Sequence, residues 1–215
     1  MKSIEFFKAY SYLPIEGIIS PKMAHFLYNY VKQNAYRLSV LENMDKDMQD
    51  ITLREYHGVF DDTQAFGDFS KYGDPTFDTL MCYIKPQLEI LTDLKLTETY
   101  SYHRLYTENT ELTRHKDRPS CEISMTLCLG YDISNMPKEE QDWNWPMWVN
   151  THEEDREVFM KPGDGIIYRG CDIEHWRLPF SGKNHAQVFL HYNSELQNKF
   201  DNRPYVGMPG SFRSK

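Results

Sequence analysis

The stretch TYSYHRLYTENTELTRHKDRPSCEISMTLCLG, residues 99–130, decides the fold. Residues 99–106 alternate, with Tyr100, Tyr102, Arg104 and Tyr106 on one side and Ser101, His103 and Leu105 on the other. That is the period of a β-strand. Glu108-Asn109-Thr110 makes a turn, 112–117 reads as a second strand stopped by Arg118-Pro119, and 122–129 as a third. Further short strands are predicted at 146–150, 157–161, 165–168, 173–178 and 185–192. They are separated by the polar loop 132–145, by the turn Pro162-Gly163-Asp164-Gly165 and by Ser181-Gly182. About eight short strands in roughly 95 residues predict a sandwich, barrel or jelly roll.

Upstream the period changes. Ser20-Pro21 reads as an N-cap followed by proline at the first helical position, and Met23, Phe26, Leu27, Tyr30 and Val31 form an apolar face running to about Ala35. A second helix begins at Asp74-Pro75 and carries Phe77, Leu80, Met81, Ile84, Leu88 and Leu91 on one face, with Pro86 expected to kink or split it. Residues 39–72 mix acids, aromatics and glycines and read as mostly irregular, a candidate lid. The tail 200–215, with Pro204, Gly207, Pro209 and Gly210, is expected to lie over the surface.

Composition narrows the function. The chain has 215 residues, 40% of them hydrophobic and 14% aromatic, enough for a core rich in rings on pleated surfaces. With 24 Lys+Arg against 32 Asp+Glu the formal charge is −8, which opposes non-specific binding to a phosphate backbone. No uninterrupted apolar stretch is long enough to span a bilayer, and the opening residues, broken by Glu5 and Lys8, are not a signal-peptide core. Cys82, Cys121, Cys128 and Cys171 form no CxxC pair and read as reduced thiols of a cytoplasmic protein. Neither nucleic acid nor membrane is expected as a partner.

The chemistry centres on His115-Lys116-Asp117. On a strand, residues i and i+2 share a face about 6–7 Å apart along the backbone, so an imidazole and a carboxylate project together. A third ligand must come from another strand, and His175, one short strand and a loop beyond the glycine turn, is the best candidate. Two His and one carboxylate on one face of a divalent ion form the facial triad of non-haem Fe(II) oxygenases, and no thiolate is placed for a closed zinc site. An isolated HxD is a common accident; the strand context and the later His are what give it weight. His103 and His191 also lie on strand patterns, where hydrogen bonding within a core is the commoner role. There is no HExxH, P-loop, dinucleotide fingerprint or GxSxG elbow. The acidic run His152-Glu153-Glu154-Asp155 reads as a solvated loop.

In this order, the 100–106 strand, His115-Lys-Asp117-Arg-Pro-Ser, the 122–129 strand, and Lys161-Pro-Gly-Asp-Gly-Ile-Ile-Tyr-Arg-Gly170 ahead of His175 resemble the Fe(II)/2-oxoglutarate-dependent dioxygenases, within them the prolyl 4-hydroxylase-like group. The resemblance covers residues 74–192. It implies an α+β, mainly β fold: a double-stranded β-helix (jelly-roll, cupin-like) with N-terminal helices packed on one sheet. The implied division is 1–96 as helical support and lid, 97–195 as catalytic core and 196–215 as tail, in one compact domain. It implies Fe(II) held by His115, Asp117 and His175, with 2-oxoglutarate and O2 as co-substrates and ascorbate as reductant. The implied reaction is oxidative decarboxylation to succinate and CO2 coupled to C–H hydroxylation.

The family places Arg or Lys about ten residues after the distal His to grip the far carboxylate of 2-oxoglutarate; here that residue is His185. Protonated His185, Lys183 two residues earlier, or Arg177 on the face of His175 are the open solutions, with Tyr106 matching a family tyrosine that assists. Gln187, Phe189 and His191 continue the His185 face inward, and Arg118 either pairs with Glu122 or lines the substrate mouth. The implied substrate is a prolyl or other residue of a peptide, with Trp143, Trp145, Trp148 and the 56–72 segment as a candidate lid or peptide groove, or equally as packing. A free amino acid or small molecule is the alternative substrate, and a non-catalytic cupin-like binding protein the alternative class.

Overall fold

A computed structural model describes residues 2–44, 56–141, 145–151 and 153–194. Trp143, His152 and the tail 196–215 lie outside them. The alternation around residue 100 becomes β3 (Leu96–Thr107), whose even-numbered side chains Tyr100, Tyr102, Arg104 and Tyr106 face away from the helices. It sits in a six-stranded antiparallel sheet of order β1-β8-β5-β10-β3-β2. Its partners there are β1 (Tyr12–Ile15), β2 (Phe69–Tyr72), β5 (Ile123–Asp132), β8 (Gly165–Arg169) and β10 (Asn184–Ser194). A four-stranded sheet, β4-β9-β6-β7, faces it, built from β4 (Leu112–His115), β6 (Met147–Asn150), β7 (Asp155–Val158) and β9 (His175–Arg177). The two facing sheets form the jelly roll that was one of the architectures expected from the strand spacing and the double-stranded β-helix implied by the family resemblance; among the described residues, eight of the strands lie beyond residue 95.

Among the described residues, three α-helices, α1 (Ser3–Tyr10), α2 (Pro21–Glu42) and α3 (Pro75–Thr92), precede the core strands. The main core joins α2 and α3 to the outer face of the large sheet through Leu27, Val31, Phe77, Ile84, Met125, Leu127, Val188 and Leu190. Ser20 Oγ caps α2 by accepting from Met23 N at 3.2 Å, and Asp74 caps α3 by accepting from Thr76 N at 2.9 Å.

Several expectations are corrected. The apolar face read for α2 is rotated: Met23 and Phe26 are 40% and 67% exposed, and the helix buries Ala24, Tyr28 and Leu38 instead. Leu27 and Val31 belong to both faces, so the period was right and its phase wrong. Pro86 does not split α3, which runs unbroken from Pro75 to Thr92. Cys82, whose carbonyl loses its donor, and Pro86 are both exposed, so water can satisfy that group while the buried side holds the helix. The segment 39–72 is not uniformly irregular: α2 extends to Glu42, and β2 adds an edge strand to the large sheet, as does β1 near the N-terminus.

His103 points from β3 into the helical side, between Phe69 and Phe77, fully buried with neither ring nitrogen hydrogen-bonded. Burial pushes its pKa down to about 3. A His with a folded pKa below its unfolded value contributes stability above about pH 6.5 that is lost as pH falls. Replacing His103 with Leu is expected to flatten the acid side of the stability profile by up to one proton, about 1.4 kcal/mol per pH unit. Urea titrations from pH 7 to pH 4 check this; a slope unchanged from wild type refutes it.

Candidate metal centre

The small sheet brings the two histidines together. β4 and β9 pair antiparallel with His115 opposite His175, and the rings lie 4.3 Å apart between centroids. Asp117 joins them from outside the strand, because β4 ends at His115 and the i, i+2 argument does not apply to it. What positions Asp117 is the chain beyond: its backbone N donates to Gly170 O at 2.8 Å, and Ser124 Oγ donates to its Oδ2 at 2.8 Å. Its Oδ1 then lies 3.8 Å from His115 Nε2 and 3.5 Å from His175 Nε2. Two donors at right angles around one ion, each about 2.1 Å from it, are about 3.0 Å apart, so a divalent ion is accommodated with little movement.

The ring tautomers suit this. His115 Nδ1 sits 2.7 Å from Thr113 O and His175 Nδ1 3.3 Å from Ile173 O. A carbonyl only accepts, so each Nδ1–H donates to it and each ring turns Nε2 towards Asp117. Burial and the neighbouring His175 lower the His115 pKa, which keeps the ring neutral. Although burial opposes its charge, Asp117 is held down to about 2 by His175, His191 and Ser124. Imidazole, imidazole and carboxylate, half to nearly fully buried, are a donor set for Fe(II) with room for further ligands on the open side.

Gly170 makes room for this carboxylate. A Cβ there would strike Asp117 Oδ2 and stand 2.5 Å from Cys121 O. Replacing Gly170 with Ala is expected to push Asp117 aside and weaken divalent-metal binding roughly 10- to 100-fold, as loss of a supporting contact does. Calorimetric titration with Co2+ checks it, and unchanged affinity would sink the argument.

A cavity of about 350 Å3 opens on the triad. Its walls include Tyr100, Tyr102 and Arg104 from β3, Phe189 and His191 from β10, Lys116 and Arg118 at the rim, and Asp62, Thr63 and Gln64 from the segment before β2. Residues 62–64 of the candidate lid segment therefore do reach the site. Arg118 lies over the Tyr100 ring, 4.8 Å from its centroid, while Glu122 accepts from Ser194 N and Oγ.

Deeper between the sheets lie the other candidate residues. Tyr106 is fully buried and Arg104 Nη1 donates to its hydroxyl at 3.2 Å. Arg177 is buried against Trp145, donates from Nη1 to Trp145 O at 2.7 Å and from Nη2 to Gln187 Oε1 at 3.0 Å, and has no partner for Nε. Burial pushes its pKa down to about 10, so it remains cationic at neutral pH. His185 is completely buried, and desolvation with Arg177 nearby drives its pKa well below the usual imidazole value, so the protonated His185 expected as one solution is disfavoured. Lys183 precedes β10, is 59% exposed and points to Asp132 at 3.9 Å, so the structure does not bring it to the site.

Arg104 and Cys121 are among the site residues that sequence reasoning missed. Arg104 was visible as one cation among several, but its pairing with Asp62 at 2.7 Å depends on a loop contact 42 residues away. Cys121 lines the cavity from a 3-10 turn at Pro119–Cys121 that carries no periodic signal.

No protein-family model matches the sequence, and no curated protein does. Solved structures do. A Pseudomonas putida prolyl-4-hydroxylase superposes with a TM-score of 0.62 at 12% identity, covering 89% of this chain and 96% of its own. The fold is that of the 2-oxoglutarate–Fe(II) oxygenases. The Trichoplax adhaerens prolyl hydroxylase, solved with a hypoxia inducible factor peptide fragment, gives 0.56 at 14% identity, covering 92% and 91%. HygX of Streptomyces hygroscopicus, with nickel, 2-oxoglutarate and hygromycin B bound, gives 0.60 at 11%, covering 95% of each chain. Among the described residues, no helix of this oxygenase fold is long and apolar enough to cross a membrane.

Proposed function

We propose that the chain is an Fe(II)- and 2-oxoglutarate-dependent oxygenase that hydroxylates a C–H bond, with a prolyl or other residue of a peptide as substrate. The observation that carries this reading is the convergence of His115, Asp117 and His175 on one point at the floor of a polar cavity. These three residues would hold ferrous iron. When bound with 2-oxoglutarate and O2, the iron supplies the oxidation: one oxygen atom goes to succinate as CO2 leaves, and the other to the substrate C–H.

The chain's own residues position and exclude. The carbonyls of Thr113 and Ile173 hold the Nδ1–H of His115 and His175, which orients each ring with Nε2 available as a donor. Arg177 would receive the far carboxylate of 2-oxoglutarate, with the Tyr106 hydroxyl assisting. The support is chemical: a buried guanidinium with no carboxylate within ion-pair distance among the described residues calls for an anion. Neutral His185, beside Trp145 and Phe180, packs this end of the interior and keeps water out. Lys116 and Arg118 at the rim face the incoming substrate.

A small-molecule substrate is the second reading, favoured by Asp62, Thr63 and Gln64 walling one side of the cavity. The prolyl hydroxylase neighbour was solved with a peptide and HygX with hygromycin B. Reduced thiols suit a cytoplasmic setting. The test is succinate formation from 2-oxoglutarate in the presence of Fe(II) and ascorbate, with proline-containing peptides and free amino acids offered in parallel. Absence of succinate under every condition, from protein shown to bind Fe(II), would leave a non-catalytic cupin-like binder as the better account.

A further inference from the structure

Asp117 faces a second set of donors. Its Oδ1 is turned to the two histidines, but Ser124 Oγ links its Oδ2, at 2.8 Å, to His191 Nδ1, at 2.9 Å. Cys121 lies on the same side, and donor atoms from Asp117, Cys121 and His191 all fall within 4.8 Å of one another. Cys121 and His191 are 3% and 6% exposed, and both line the cavity that opens on the triad, so an ion entering there reaches them. The Tyr100 hydroxyl stands 2.9 Å from Cys121 Sγ, placed to donate a hydrogen bond to a thiolate.

We propose that Asp117, Cys121 and His191 form a second divalent-metal site, with Asp117 shared between the two. Donor chemistry decides what it takes. Thiolate, imidazole and carboxylate in a tight, largely buried cluster suit a thiophilic ion that accepts low coordination, Zn2+ or Co2+, over the hard cations. Binding places the metal on Sγ while the thiol proton leaves to solvent. Because one carboxylate serves both sites, an ion here draws Asp117 from the histidine pair, and filling one site weakens the other. The inference rests on donor geometry and stands apart from the oxygenase reading.

The experiment is a Co2+ titration of metal-free, full-length protein carrying Cys82→Ser and Cys171→Ser, which removes the exposed and half-exposed thiols. A thiolate-to-cobalt charge-transfer band in the near ultraviolet is expected. It should persist in His175→Ala, disappear in Cys121→Ser, and need roughly tenfold more Co2+ in His191→Gln, the loss of one ligand-scale contact. Zn2+ should bleach it. His191→Gln leaves Cys121 in place and keeps the test open if Cys121→Ser does not fold. A missing band, a band retained without Cys121, or one lost with His175 would each overturn the proposal.

Discussion

Asp117→Ala is expected to lower succinate formation from 2-oxoglutarate by more than about 100-fold, since loss of a mere supporting contact at a metal already costs 10- to 100-fold. His115→Ala and His175→Ala should do the same. The three should differ in another respect. Asp117 is the only anion of the set, held ionised at a pKa of about 2, and it lies within 4 Å of both imidazoles. Removing it leaves two neutral rings against a dication, so Fe(II) affinity should fall furthest in this variant. Asp117→Asn keeps the shape and the Ser124 hydrogen bond but loses the charge, and should behave like Asp117→Ala in metal binding while still unfolding cooperatively from a native fold. Fe(II) binding, turnover and thermal unfolding measured side by side separate a lost ligand from a lost fold. Full turnover in Asp117→Ala would remove the proposed centre altogether.

How far such a site can be read from sequence is shown by the two halves of the triad. His115 and His175 were legible because local signals place each on a strand: a turn at Glu108-Asn109-Thr110 before one, the Gly163 turn before the other. Gly163 has φ +101°, a conformation that L side chains rarely adopt, so that turn is written in one residue. The place of Asp117 beside the two histidines was legible but its reason was not. It was placed by strand alternation, yet the strand stops two residues earlier and Gly170 and Ser124 do the holding. Contacts of that kind, across 53 and 7 positions, leave no period.

The same limit explains the segment before β2. Its composition said irregular, and only the sheet edge offered by β3 turns residues 69–72 into a strand. The phase of α2 is another case. Met23 and Phe26 are as apolar as Leu27, and only the surface of the large sheet selects which stripe is buried. The eight strands beyond residue 95 and the inward row of β10 needed no such outside information, since alternation alone separates His185, Gln187, Phe189 and His191 from Ala186, Val188, Leu190 and Tyr192.

Under the proposed function, two buried arginines are candidates for the far carboxylate of 2-oxoglutarate, and their partners decide between them. Arg104 lies across from Gln187 in the β3–β10 register, and Arg177 donates to the Gln187 side chain from the opposite sheet, so both converge on one corner beside Tyr106. Arg104 is already neutralised: its Nη2 donates to Asp62 at 2.7 Å and its Nε to Ser70 Oγ at 3.1 Å, and Asp62 also accepts from Tyr102. Arg177 has two neutral acceptors and an idle Nε. A carboxylate arriving at Arg104 must displace one already there, whereas at Arg177 it meets an uncompensated charge. Arg177→Met, which keeps the stem over Trp145, is therefore expected to raise the KM for 2-oxoglutarate roughly 10- to 100-fold, the worth of about 1.5–3 kcal/mol for a hydrogen bond to a charged group. Fe(II) affinity should hold within about twofold, because the guanidinium touches none of the three ligands. Arg104→Met should leave that KM nearly unchanged and act on the primary substrate instead, since its loss frees Asp62 at the cavity wall. The reverse pattern, a raised 2-oxoglutarate KM in Arg104→Met alone, would move the carboxylate to β3 and make Asp62 the group it has to displace.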